Sequence, residues 1–382
     1  MTASSKWPVA ILGATGAVGQ TFIRLLADHP WFTVAEVAAS DRSAGKPYRD
    51  ATHWLEGTLP LAVADLTVQL CDPASIRSPL VFSALDASAA GEVEPAFARA
   101  GRLVFSNAKN YRMEPDVPLL IPEINAPHLA ALPMQRKRQG WSGCGAIITN
   151  ANCAATAAVF PLAALHAAFG LEQVLVVTMQ AVSGAGYPGV PSLDILGNVI
   201  PFIGEEEAKI ERELPKMLGA WSGSAIVPAE FGVSAHTNRV PVEHGHTACM
   251  TIKLATRASA SDAKAAIAEW RGHEVARALP SAPEQAMILA EEETRPQPRR
   301  DAMAGKGMTC TVGRVRADSL WDVRLVALAH NTIRGAAGGS ILNAELLAAE
   351  GGLPGELGVA EFLSNRPAER RDRDAQPRGG AA

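Results

Sequence analysis

Apolar positions come first in short bounded runs and later in longer ones, and this change of rhythm divides the chain. The opening stretch VAILGATGAVGQTFIRLLADHP has an apolar run from Val9 to Leu12, a glycine turn, and then Val18, Phe22, Leu25 and Leu26 at helical spacing. This pattern predicts a buried strand, a turn and an amphipathic helix. FTVAEVAAS, LVFSAL and RLVFSN predict further strands, with a helix in the alanine-rich ASAAGEVEPAFARAG between the last two. Strands alternating with helices predict a parallel, doubly wound sheet. From about residue 172 the runs lengthen to QVLVVTMQAVSG, SAIVPAEFGVSAHTNRV, HTACMTIKLAT and DVRLVALAHN, with few helices between them. They predict a second, mixed α/β domain.

Between these runs, PMQRKRQGWSG (133–143) reads as an exposed connector and EEETRPQPRR (291–300) as a solvated loop. The tail SNRPAERRDRDAQPRGGAA is charged and rich in proline and glycine, so disorder is expected over 365–382. A length of 382 residues exceeds what one hydrophobic core usually organises, in keeping with two domains.

Charge narrows the partners. The 35 basic and 39 acidic residues are mixed along the chain and leave a net −4, which makes no electrostatic case for nucleic acid or a membrane surface. No apolar run reaches the roughly 18 residues of a membrane span, and MTASSKWPVAILG lacks a basic segment before a cleavable apolar one. A cytoplasmic protein acting on small molecules is expected. The five cysteines, Cys71, Cys144, Cys153, Cys249 and Cys310, are scattered and form no CxxC pair, so free thiols and no metal site are expected.

Two stretches carry chemistry. In GATGAVG, Gly13, Gly16 and Gly19 follow a strand and open a helix, where backbone N–H groups can receive a pyrophosphate. At the end of the second strand, AASDRSAGK offers Ser40, Arg42, Ser43 and Lys46 to a 2′-phosphate, while Asp41 could instead take ribose hydroxyls. NADP is favoured over NAD. The second stretch is TNANCAAT (149–156), between the apolar AII and the helical AAVFPLAALHAAFG. A cysteine at a helix N-terminus has its pKa lowered from about 8.5 towards roughly 3.5–7.5, so Cys153 is expected to be a nucleophile. Asn150 and Asn152 beside it could donate to an oxyanion or fix the turn. A thiolate nucleophile needs an acid/base partner, and NRVPVEHGHTACM supplies His244 and His246 beside Arg239.

From about residue 8 to 364 the chain resembles the aspartate-β-semialdehyde dehydrogenase family of the archaeal and fungal type. The resemblance rests on GATGAVGQ, ASDRSAGKPY, SNAKNYRM with VPLLIPEIN, TNANC, TMQAVSGAGYPGVPSLDILGNVIPFIGEEEAKIERE, NRVPVEHGHT, VGRVR and HNTIRGAAGGSILNAELL. It implies an NADP-binding domain over 1–148, with a C-terminal helix of about 331–364 packing back on it, and a catalytic and dimerisation domain over 149–330. It makes Cys153 the acyl-accepting nucleophile, His246 the general acid/base and Gln180 the group that orients the acyl carbon. Arg239 would hold the substrate α-carboxylate and Glu206 its α-amino group. Arg112, with Asn107 nearby and Lys209 across the site, would hold the phosphate. Gly13, Thr15, Gly16, Ala17, Val18, Ser40, Arg42, Ser43, Ser83, Ser183, Gly184 and Asn331 would line the dinucleotide.

The implied reaction is reversible, NADP-dependent reductive dephosphorylation of L-aspartyl-4-phosphate to the 4-semialdehyde through a cysteine thioester, in the synthesis of aspartate-derived amino acids. A homodimer or homotetramer is implied as well. Ala151, Ala155 and Glu205 stand where the family often has proline, serine or threonine, and glycine. Two other functions compete: reduction of a CoA thioester such as malonyl-CoA on the same scaffold, and a catalytically silent, nucleotide-binding paralogue.

Overall fold

Val9 to Leu12 are wholly buried, as an apolar run with parallel neighbours on both edges has to be. They end strand β1 (Trp7–Leu12) in the computed structural model, which describes residues 6–141 and 143–353. Six more strands join it: β2 (Phe32–Ala39), β3 (Gln69–Leu70), β4 (Leu80–Ser83), β5 (Leu103–Ser106), β6 (Leu119–Leu120) and β7 (Ala146–Asn150). All pair in parallel, in the order β3-β2-β1-β4-β5-β7-β6. The winding reverses between β1 and β4, which opens a crevice at the carboxyl ends of the central strands. Helices α1 (Ala17–Leu26) and α2 (Ala87–Arg99) belong to this half.

The run expected to be an exposed connector is instead organised. Leu132–Gln139 form helix α3, ended by Gly140 at φ +65. Its lysine and arginines face outward, but Gln135 is buried. That amide accepts from Ile147 N at 2.8 Å and donates to Ile147 O at 2.9 Å, acting as a strand partner for β7. Ser142 lies outside the described residues.

The second sheet is mixed. Its strands are β8 (Leu171–Gln180), then, beyond a small antiparallel pair of β9 (Ala220–Trp221) and β10 (Ile226–Val227), β11 (Gly232–Arg239), β12 (His246–Leu254), β13 (Met287–Ala290), β14 (Cys310–Ala317) and β15 (Val323–Ala329). The order is β11-β8-β12-β15-β14-β13. SAIVPAEFGVSAHTNRV thus splits in two at Pro228, which has no N–H to give a ladder. The expected helix after TNANC is α4 (Cys153–Phe169), and two more are present than the apolar runs suggested: α5 (Glu206–Met217) and α6 (Ala260–Glu269). Every residue of α4 from Ala154 to Leu165 is buried, and its alanines and valine share one core with Val174, Met250 and Leu325 of the sheet. The 291–300 loop is only partly solvated, because Arg295 turns inward to the buried Asp301.

The chain then returns to the first half. A π-type turn at Ile333–Ala337 leads into α7 (Gly338–Ala349), whose Ile341, Leu342 and Leu346 share a core with Val9, Phe22 and Phe82. The remainder of the expected 331–364 helix, from residue 354, and the 365–382 tail lie outside the described residues. No helix of the described residues is long and apolar enough to cross a membrane.

One ion pair pins this return. Arg334, 2% exposed, donates Nη1 and Nη2 to the two oxygens of Glu123 at 2.9 and 2.6 Å, and its guanidinium lies 4.7 Å from the centre of the Phe160 ring on α4. Removing one member of a buried pair strands the other charge, at a cost of about 3–5 kcal/mol. Glu123→Ala is therefore expected to lower the chemical denaturation midpoint by a corresponding amount, checked by urea titration. A midpoint within error of the parent would mean that the pair is not closed in solution.

Candidate active site

The carboxyl ends of β1, β2, β4, β5 and β7 and one end of the second sheet supply the residues singled out in the sequence. Asn150 ends β7, and after Ala151 and Asn152 the chain enters α4 with Cys153 as its first residue. Asn152 caps the helix: its Oδ1 accepts from Ala154 N and Ala155 N at 2.9 and 3.0 Å. Its Nδ2 donates to Glu206 Oε2 at 2.9 Å, and its backbone N donates to Glu213 Oε2 at 2.6 Å. Asn150 Nδ2 is engaged by Ala336 O and Asn107 Oδ1. Both asparagines therefore fix the turn.

On the second sheet, Gln180 ends β8 and Arg239 ends β11, as register partners on neighbouring parallel strands. His246 begins β12. Gly184, in the loop after β8, lies against the last two: a methyl built on it would stand 3.0 Å from Arg239 Nη1 and 3.1 Å from His246 Nε2. Gly335 likewise abuts Cys153, since its Cβ would fall 2.7 Å from Cys153 Cβ. A side chain at Gly335 would displace the start of α4, and one at Gly184 would press on Arg239 and His246.

His246 is wholly buried, and its Nδ1 accepts the Ala181 N–H at 3.1 Å. The ring proton of the neutral imidazole is then on Nε2, which has no partner among the described residues. Burial, then Arg239 and His330, pulls its pKa down to about 3. The buried Arg112 gives Nη1 to Glu213 Oε1 at 2.9 Å and Nη2 to Asn107 O at 2.7 Å, and its Nε also lacks a partner. Two buried donors are thus left for something that the chain itself does not supply.

The thiol departs from expectation. Burial, with Glu206 adding to it, pushes Cys153 up to about 12, against the pull of Arg112, Arg239 and Lys209. Glu206, the first residue of α5, is itself buried. Burial works to raise its carboxyl, but Lys209 at 2.8 Å and the amides of Asn152 and Gln180 outweigh that and hold it below the usual carboxylate range. Glu206 is therefore no solvated helix face, whereas Glu205, at φ +61, is exposed and pairs with Lys109. A left-handed residue suits glycine best, which accounts for glycine being usual there.

The residues expected to line a dinucleotide fall in two groups, Gly13 to Ser83 on the first sheet and Ser183 with Asn331 on the second half. Gly13 sits at φ +69, and a methyl on it would meet Ala84 O at 2.6 Å. Gly16, whose own N donates to Gly13 O at 3.0 Å, caps α1 without a side chain, so no cap bond engages the N–H groups of Ala17 and Val18, which follow Thr15 and Gly16 in the turn. Ser40, Arg42 and Ser43 form the turn after β2, with Ser43 N on Ser40 O at 2.9 Å. Ser83 ends β4, where Asn107 Nδ2 reaches its carbonyl. Ser183 accepts from Asn331 Nδ2 at 2.8 Å, and Asn331 Oδ1 accepts from Gly245 N.

Comparison with known proteins decides the lineage. Residues 8–132 match the NAD binding domain of semialdehyde dehydrogenase and 162–334 its dimerisation domain. The chain is 47% identical to aspartate-semialdehyde dehydrogenase of Archaeoglobus fulgidus over 346 residues, 90% of this chain and 99% of that one. It is equally close to the Schizosaccharomyces pombe enzyme, over 90% of this chain and 98% of the other. It belongs to the aspartate-semialdehyde dehydrogenase family. Among solved structures, that of the Candida albicans enzyme with NADP superposes with a TM-score of 0.83 at 42% identity, covering 91% of this chain and all of that one.

Within that family frame, Glu213, Gly335, Arg334 and Asn152's double bond to α5 are the features that the sequence did not single out as site elements. All of them lie inside stretches quoted above, Arg334 and Gly335 in HNTIRGAAG, Asn152 in TNANC and Glu213 at the end of GEEEAKIERE, but only the glycine announces a close approach by its type. The electrostatics can be checked directly. Because Glu206 raises the thiol, Glu206→Gln should speed iodoacetamide alkylation of Cys153 several-fold at pH 8, where a lower pKa means more thiolate. An unchanged or slower rate in peptide-mapped labelling would mean that Glu206 does not face the sulfur.

Proposed function

We propose that this protein catalyses NADP-dependent reductive dephosphorylation of L-aspartyl-4-phosphate to L-aspartate 4-semialdehyde, and the reverse, through a thioester on Cys153. The observation that carries the reading is the pairing of charges around that thiol: Arg239 for an α-carboxylate, Glu206 for an α-ammonium, and Arg112 with Lys209 for a phosphate. Malonyl-CoA has no ammonium, so Glu206 would meet no group of opposite charge on it and the correspondence would fail at that position. The intact thiol and its neighbours likewise disfavour a silent paralogue.

In the forward direction the Cys153 sulfur attacks the acyl carbon, an S–C bond forms, and the C–O bond to phosphate breaks with its electron pair leaving on phosphate. Gln180 orients the acyl group. A thiol at about 12 has to lose its proton as substrate binds, and the cations Arg112, Arg239 and Lys209 favour that loss, the proton leaving on the departing phosphate. His246, neutral with hydrogen on Nε2, is set to donate to the developing oxyanion. A bound reduced nicotinamide would supply hydride at the acyl carbon. When the resulting hemithioacetal collapses, the C–S bond breaks and the carbonyl re-forms, and the sulfur takes a proton from solvent.

The glycine turn suits the pyrophosphate, because the uncapped N-terminus of α1 and the side-chain-free Gly13 leave room for it. Arg42 would take the 2′-phosphate. The second domain and its exposed Leu193, Leu196, Val199 and Phe202 support a homodimer or homotetramer.

Cys153→Ala is expected to leave less than about 1% of phosphate-dependent NADP reduction with aspartate semialdehyde, while NADP affinity stays within a few-fold, since covalent chemistry is lost and cofactor contacts are not. Retained turnover, followed at 340 nm, would sink the nucleophile assignment. Arg42→Ala should weaken NADP at least about tenfold more than NAD, the scale of a charge-assisted contact. Equal losses in fluorescence titrations would leave Arg42 a merely structural residue.

A further inference from the structure

Helix α5 reaches two separate parts of the site from one face. Glu206 and Glu213 are two turns apart, and both end on Asn152, the first on its amide at 2.9 Å and the second on its backbone N–H at 2.6 Å. The other oxygen of Glu213 accepts from Arg112 at 2.9 Å. Glu213 is 2% exposed, so neither bond is exchanged for water at low cost.

We infer that Glu213 is a positioning residue that couples the phosphate-holding guanidinium of Arg112 to the turn carrying Cys153; this rests on the reaction proposed above. Three observations support it. The backbone of the Arg112 loop is already held from α5 by Lys216, whose ammonium donates to Arg112 O, Glu114 O and Val117 O at 2.5, 2.6 and 2.9 Å. Glu213 is therefore not needed to keep that loop in place, only to aim its guanidinium. Arg112 uses Nη1 and Nη2 on Glu213 and Asn107 and keeps a buried, unpartnered Nε, so the aim leaves a donor for an incoming oxyanion. And a single carboxylate is the one group that can accept from both Arg112 and Asn152: a glutamine would turn an NH2 towards one of two donors.

The consequence is that an anion drawing on Arg112 pulls, through Glu213, on the residue that caps α4. The experiment reads phosphate twice in the full chain: as protector of Cys153 against iodoacetamide, and as substrate in NADP-dependent semialdehyde oxidation. Glu213→Gln should raise both the half-protecting phosphate concentration and the phosphate KM by about tenfold, with a smaller change in kcat, as expected when one charge-assisted contact is lost. In an Arg112→Ala background the same substitution should add little to either, because the two act as a unit.

Unchanged half-protection, full additivity with Arg112→Ala, or a fall in melting temperature alone would overturn the inference, as would a parent that phosphate does not protect. Should Glu213→Gln not fold, Glu213→Asp, with the carboxylate withdrawn by one methylene, is read in the same two assays against the same outcomes. Protection requires no turnover, so a parent that is protected by phosphate but does not oxidise the semialdehyde would refute the proposed reaction and leave the placing of Glu213 standing.

Discussion

Asn152 is the residue on which the rest of the site hangs. Its carbonyl oxygen closes the start of α4, its amide meets Glu206, and its backbone N–H meets Glu213. Each bond excludes an alternative. The cap takes up the N–H groups of Ala154 and Ala155, and burial works against ionisation of Cys153, while Arg112, Arg239 and Lys209, from three other segments, favour it. The bond to Glu206 holds an anion that opposes that ionisation, and the ammonium of Lys209 keeps the anion charged. A cysteine at a helix N-terminus is often read as activated by position alone; here burial outweighs the position.

The first domain was the more legible of the two. Val9–Leu12, LVFSAL and RLVFSN are strands buried on both faces, and continuous apolar runs are what such strands require. The second half was harder because α5 and α6 stand between the long apolar runs that drew attention to strands, whereas α4 was read as helical although it is buried nearly all round. Pro228 was visible in SAIVPAEFGVSAHTNRV but was not given its weight as a break. The 133–143 segment misled in the other direction: Lys137 and Arg138 made it look like a solvated connector, yet Trp141 is buried in the core and Gln135 ties the segment to β7 by two hydrogen bonds.

The site divided along similar lines. Cysteine, histidine and glycine announce chemistry by type, and Cys153, His246 and Gly13 were singled out that way. Glu213, Glu123 and Arg334 were not, because a carboxylate or guanidinium in a helix or turn is ordinarily solvated and nothing local marks a buried one. Their partners lie 61 to 211 residues away along the chain, a distance at which no spacing rule operates. Burial of charge is a property of the assembled fold and becomes readable only there.

The pairing of Gln180 with Arg239 sets a limit of another kind. They are opposite residues on adjacent parallel strands, so their backbones are spaced by the sheet repeat of about 4.8 Å, and neither strand can slide by one residue without turning its side chains to the other face. The two groups behave as fixed marks on a ruler. Divergence within this lineage can lengthen, shorten or recharge the 182–206 loop above them, but the interval between the marks is inherited with the sheet.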